Sequence, residues 1–114
     1  MVHQHQVKKE QEYQKMVKIA TSKEAKKVYE DYLKHEDPNA FTNKGFVKSY
    51  KIDTSDLEYN PMGGLMVTIF VNGDSKMDVG FNLIDNEDGT YSSAYFTNSP
   101  KFWKTQKQYY GKDK

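Results

Sequence analysis

The run from Leu65 to Val71 is apolar at every position except Thr68, and three of its residues, Val67, Ile69 and Val71, are β-branched. Such side chains lose little χ1 freedom on a pleated surface, so the run reads as a central strand covered on both faces. Asn72-Gly73 follows directly. Both residue types tolerate the positive φ of a type I′ turn, which predicts that the chain reverses there. Beyond it Met77, Val79, Phe81 and Leu83 alternate with Lys76, Asp78, Gly80 and Asn82. That period of two is a strand whose first group faces a core.

Upstream the period lengthens. Tyr13, Met16, Val17 and Ala20 are spaced i, i+3, i+4, i+7, predicting an amphipathic helix over residues 8–20. Thr21 and Glu24 have capping-box spacing, and Ala25, Val28, Tyr29, Tyr32 and Leu33 form a second helical stripe that ends near His35. Asp37-Pro38 reads as an N-cap with proline at N1, opening one helical turn that Asn43-Lys44-Gly45 ends. Phe46, Lys48, Tyr50 and Ile52 then alternate with Val47, Ser49, Lys51 and Asp53, which predicts a strand with the long side chains on one face. Residues 54–59 either extend it or loop toward the turn at Pro61.

After the hairpin, residues 85–89 form a polar turn, and residues 90–97 a fourth strand with Tyr91, Ser93 and Tyr95 on one face. Ser99-Pro100 is a second cap-then-proline signal. Phe102, Trp103, Gln106, Tyr109 and Tyr110 mark a short C-terminal helix ended by Gly111. Helices followed by a meander predict an α+β fold: N-terminal helices packed on a four-stranded antiparallel sheet in a cystatin-like arrangement, with a short C-terminal helix.

The core is expected to join Tyr29, Tyr32 and Leu33 to Val79, Phe81 and Leu83. On the other sheet face Met66, Thr68 and Phe70 meet Gly80, Asp78 and Asn82. The C-terminal helix is expected to cover that face, laying Phe102 and Trp103 over Gly80 while the Tyr109 and Tyr110 hydroxyls stay in water. Where the cover is incomplete, Met66, Phe70 and Trp103, with Met62 at the rim, form the candidate binding patch for a protein or small-molecule ligand.

Length and charge narrow the classes. The 114 residues suit one domain, 1–114, with residues 1–7 read as a disordered lead or a remnant of expression. Without cysteine there is no disulfide, thiol nucleophile or thiolate metal site. Seventeen basic against sixteen acidic residues lack the footprint of a nucleic-acid binder. No apolar run spans a membrane, and the first residues are too polar for a signal peptide.

Candidate chemistry is sparse. His3-x-His5 supplies two imidazoles with no third ligand in view, so no metal site is expected. Counting Asp85 as the first calcium ligand puts Gly89 fifth and Phe96 where a bidentate glutamate belongs, so that spacing fails. No Gly-x-Ser-x-Gly elbow or phosphate loop is present, and His35 suits a cation at a helix C-terminus better than a catalytic base. No catalytic residue, cofactor or enzymatic activity is expected. Asn60-Pro61-Met62-Gly63-Gly64 is the most distinctive short motif, read as a turn whose glycines free the backbone for a bulge or for anion-facing amides.

That motif, continued by Leu65-Met66-Val67-Thr68 and preceded by Ser22-Lys23-Glu24-Ala25-Lys26-Lys27-Val28-Tyr29-Glu30 and Ser49-Tyr50-Lys51-Ile52-Asp53, resembles the family called domain of unknown function 1310. The resemblance spans residues 15–84. Members of that family are small proteins of Gram-positive bacteria, commonly with an N-terminal hydrophobic segment, and no catalytic residues carry across. The resemblance implies an extracytoplasmic setting, this chain being the soluble part of an anchored or secreted precursor. The leading functional expectation is therefore a noncatalytic binding or interaction domain of the envelope. An inhibitor or immunity-type protein is the second, and a small hydrolase, if a pocket joined His35 to carboxylates, the third.

Overall fold

Two amphipathic helices come first because their apolar stripes need a common floor. In a computed structural model describing the backbone of residues 2–111, and side chains from Lys9 onward, α1 spans Val2–Ala20 and α2 spans Lys23–Glu36. The first helix thus begins earlier than expected, and residues 2–7, read as a disordered lead, continue it. The break between the helices is a corner. The Thr21 hydroxyl donates back to the Val17 carbonyl at 2.7 Å, while Ser22 is the N-cap of α2 and accepts from the Ala25 amide at 3.1 Å. The cap is one residue later than the capping-box spacing implied, because Thr21 is spent on the preceding helix. Tyr29 pins the corner by donating its hydroxyl to the Ala20 carbonyl at 2.8 Å.

The stripes land on a four-stranded antiparallel sheet of order β1-β2-β3-β4, built from Tyr50–Tyr59, Leu65–Val71, Asp78–Asp85 and Tyr91–Asn98. Ala25, Tyr29 and Leu33 of α2 are buried with Leu65, Val67, Ile69 and Val71 of β2 and with Val79, Phe81 and Leu83 of β3. The Phe81 ring centre lies 4.9 Å from that of Tyr29 and 5.7 Å from that of Tyr32, which is the core expected from the alternation. The other face of β2 is different. Met66, Thr68 and Phe70 pair with Asn82, Gly80 and Asp78 as expected, but they are only half-buried, so β2 is central without being covered on both faces.

Three irregularities shape the edges. Asn72 and Gly73 have φ of 58° and 69° and close the expected turn, with the Asp74 amide on the Val71 carbonyl at 3.0 Å. A second turn from Asp74 to Met77 follows, so the reversal is longer than a two-residue hairpin. The Asn72 side chain accepts from the Lys48 and Ser49 amides and donates to the Phe46 carbonyl. It thereby holds residues 46–49 as an irregular segment, and β1 starts at Tyr50 with Val47, not Phe46, fully buried. In β1 the register slips between Asp53 and Glu58, an excursion that carries Leu57 toward the core. In β4 it slips opposite Phe81 and Leu83. Ala94 and Tyr95 there face the single Asn82, a bulge that reverses the alternation. Tyr91 and Ser93 share the helix side, but after the bulge it is Phe96 that stacks on Tyr32, and Tyr95 turns away.

The C-terminal helix α3, Pro100–Tyr110, is capped by Ser99, whose hydroxyl accepts from the Phe102 amide at 3.2 Å. It does not cover the outer sheet face. Phe102 is buried in the same core as Tyr29 and meets the Phe46 ring at 5.6 Å. Tyr110 donates to Asp37, Tyr109 to the Lys44 carbonyl, and Gln106 to the Glu36 carbonyl at 3.3 Å, so neither tyrosine hydroxyl is left to water alone. Asp37 itself is the C-cap of α2 rather than an N-cap. Fully buried, it also accepts from the Asn39 amide at 3.1 Å and the Val47 amide at 2.9 Å. Gly45 lies against this carboxylate, where a Cβ would sit 2.2 Å from the Asn39 carbonyl oxygen.

The buried tyrosines make stability fall in alkali. Burial raises the Tyr29 pKa above its ordinary value, with Tyr50 adding to the effect; burial and the hydrogen bond to Glu30 at 2.7 Å raise that of Tyr50. The folded state then holds its phenolic protons where the unfolded chain releases them. Stability is full below the unfolded value near 10 and falls as pH rises past it, by about 1.4 kcal/mol per pH unit for Tyr29 alone. Urea unfolding between pH 8 and 11 checks this, with Tyr29→Phe expected to flatten the alkaline limb.

Candidate functional site

The motif at residues 60–64 is occupied with its own folding. Asn60 accepts from the Met62 amide through Oδ1 at 2.9 Å and from the Gly63 amide through its carbonyl at 2.8 Å, while its own amide reaches the Gly64 carbonyl at 2.9 Å. Gly63 and Gly64 have φ of 106° and 103°. The turn closes over Asn82, whose Nδ2 donates to the Gly63 carbonyl at 3.0 Å, and a Cβ on Gly64 would lie 2.4 Å from Asn82 Oδ1. That close approach explains the second glycine. The Met62 and Gly63 amides point into the turn and not toward an anion.

Met66 and Phe70 lie on the outer face of β2, where Met66, but not Phe70, lines a recess of about 260 Å³ with Asp56, Glu58, Thr68, Gly80, Tyr95 and Thr97. The side chain over Gly80 is Thr97, where Trp103 and Phe102 were expected. Trp103 instead projects from α3, 52% exposed, with the Lys107 ammonium 4.5 Å from its ring centre. Met62, 93% exposed, tops the turn before β2, while Phe70 stands near the strand's far end. The structure therefore brings Met66 and Phe70 to one face and leaves Met62 and Trp103 apart from them.

A different surface collects aromatic and ionisable groups. Between α2 and β4 runs an open groove of about 530 Å³, lined on the helix by Val28, Asp31, Tyr32, His35 and Glu36 and on the strand by Tyr91, Ser92, Ser93 and Phe96. Its floor is the Tyr32–Phe96 stack, with ring centres 4.2 Å apart and planes 7° from parallel. Tyr32 is held by donating to Asn98 Oδ1 at 2.7 Å, and partial burial raises its pKa. Phe96 reaches this side only through the β4 bulge, which Ser93 braces by accepting from the Asn82 amide at 3.0 Å and donating to the Tyr95 carbonyl at 2.6 Å. Simple alternation points Phe96 the other way, and the one legible signal was the pair of uncharged aromatics, Tyr95 and Phe96, side by side.

The groove does place His35 near carboxylates. Its Nδ1 lies 3.2 Å from Glu36 Oε2, but the imidazole is largely in solvent. Ser92 donates to Asn86 and Ser93 to Tyr95, so both hydroxyls are engaged away from His35. A nucleophile needs its base within hydrogen-bond reach, and that pairing is not made here. What the groove offers is an aromatic floor with Asp31 and Glu36 among its lining, suited to a ring or aliphatic group carrying a cation. In the acidic turn, Asp85 caps the Glu87 amide, and Asp88 takes the amide and hydroxyl of Thr90, an interaction that holds its pKa below the usual range. Among the described residues no cluster of three metal-ligating side chains occurs; the side chains of His3 and His5 lie outside them. No described helix is long and apolar enough to cross a membrane.

Compared with known proteins, the chain matches one family model, described as protein of unknown function (DUF1310), over residues 2–105. No curated protein and no solved structure matches it.

Proposed function

We propose, from the premise that this chain belongs to the DUF1310 family of proteins of unknown function, that it is a noncatalytic binding domain with the α2–β4 groove as its ligand-facing surface. The observation that carries this reading is the parallel Tyr32–Phe96 stack lying open at the groove floor. Part-exposed aromatic side chains bordered by carboxylates are a recognition surface for apolar groups bearing positive charge. The setting we propose is extracytoplasmic, on a Gram-positive cell. A cysteine-free chain suits it, having no thiol to oxidise there. Protease accessibility on intact cells tests that placement.

The groove is tested by amide chemical shifts during titration with N-acetyl-phenylalanyl-arginine amide, which carries a ring and a guanidinium. The expected shifts centre on Tyr32, His35, Ser92 and Phe96 and are lost in Phe96→Ser, a variant that keeps the buried core. Shifts that are absent, or that survive in Phe96→Ser, overturn the assignment.

A further inference from the structure

The two edges of the sheet are treated differently. β1 carries Lys51, Asp53, Asp56 and Glu58, is broken by its excursion, and is tied to α1 where the Tyr13 hydroxyl donates to the Thr54 carbonyl at 3.0 Å. Charge, irregularity and a covering helix are the usual protections of an edge against pairing with another chain. β4 has fewer of them. Its eight residues, YSSAYFTN, include no charge and no proline, all but Tyr91 and Ser93 are exposed, and it pairs with β3 alone. The bulge at Ala94 and Tyr95 is its single interruption.

The charge on either side of β4 indicates what pairs with it. Asp85, Glu87 and Asp88, all exposed, precede the strand, and Lys101, Lys104 and Lys107, also exposed, follow it. Lys101 is committed to Asp74 at 2.5 Å, which leaves Lys104 as the next exposed lysine along the chain after the strand. An antiparallel neighbour with the same sequence reverses this order, so the acidic end of each strand meets the basic end of the other, with no like charges along the uncharged middle. Such a contact is isologous, the same patch on both partners, and it closes at two copies. We propose that the open edge of β4 is a self-association site, at which two copies pair antiparallel about a twofold axis. This stands apart from the groove reading, because an edge uses backbone groups and the groove uses side chains facing α2.

Sedimentation velocity on the full chain, loaded from about 10 μM to about 1 mM where a weak single-strand interface associates, reads the outcome. The expected result is a monomer–dimer equilibrium that weakens with added salt. Ser92→Lys, which sets a cation against the partner's basic end, and, separately, Thr97→Glu, which sets an anion against the partner's acidic end, should each reduce association at least tenfold, while circular dichroism reports the fold unchanged. Glu87→Lys alone and Lys104→Glu alone should each weaken the dimer, and the two together should restore it. A chain that stays monomeric throughout overturns the proposal, and so does a dimer indifferent to both Ser92→Lys and Thr97→Glu. A double charge reversal that fails to restore association overturns the antiparallel pairing.

Discussion

Phe81→Ala is expected to cost about 3 to 5 kcal/mol of folding free energy, the range for removing a buried aromatic ring. The ring is almost wholly buried and lies against Tyr29 at 4.9 Å, Tyr32 at 5.7 Å and Phe96 at 5.6 Å. Tyr29 and Leu33 are fixed by α2 and cannot collapse into the space, so both the transfer term and the cavity term apply. Phe96→Ala, at an exposed position on the same cluster, should cost clearly less. Urea denaturation of both variants checks the ranking, and a loss below about 1 kcal/mol for Phe81→Ala would mean that β3 presents its other face to the helices.

The second large effect belongs to Asp37. Its buried carboxylate takes the Asn39 amide, the Val47 amide and the Tyr110 hydroxyl, joining the end of α2, the following loop and the end of α3. Asp37→Ala leaves those donors without their acceptor; the buried Val47 amide alone costs about 1 to 3 kcal/mol and the part-buried Asn39 amide and Tyr110 hydroxyl add less, so a loss of about 2 to 3 kcal/mol is expected. Asp37→Asn keeps the volume but turns one acceptor into a donor, and should fall between. Thermal unfolding together with amide exchange at Val47 measures both. An Ala variant within about 0.5 kcal/mol of the parent would show that water replaces the carboxylate without penalty.

Most of the architecture was legible because alternation and helical spacing report which side of an element is dry. Val79, Phe81 and Leu83 on one strand and Ala25, Tyr29 and Leu33 on one helix found each other as their periods required. What escaped was set by single side chains acting on distant backbone. Asp37-Pro38 has the composition of a helix start, yet its carboxylate serves Val47, ten residues on, and Tyr110, 73 residues on. Asn72 was read as a turn former, and its amide group also holds residues 46–49 out of the strand. The groove escaped for a related reason. A bulge changes side-chain parity without any signature in hydropathy, so alternation groups Tyr95 with Tyr91 and Ser93 and hides the stack of Phe96 on Tyr32. In the patch of Met62, Met66, Phe70 and Trp103, only the place of Trp103 rests on α3 lying over the outer face, whereas Phe102 is held in the core beside Phe46 and carries that helix elsewhere.

The sheet order has a kinetic consequence. Each strand pairs with its sequence neighbour, so every hairpin closes over a short loop and the entropy lost at each step is small. A chain emerging N-terminus first from a ribosome or a membrane exit can add β2 to β1, β3 to β2 and β4 to β3 in the order in which they appear. The exceptions are the long-range bonds across the sheet, Tyr32 to Asn98 and those by which α3 returns to the end of α2 and its loop, with Tyr110 on Asp37 spanning nearly the whole sheet. Until the last helix has emerged, that carboxylate stays uncovered and the base of the core stays wet. Assembly is therefore early and local for the sheet, and late for the clasp that seals it.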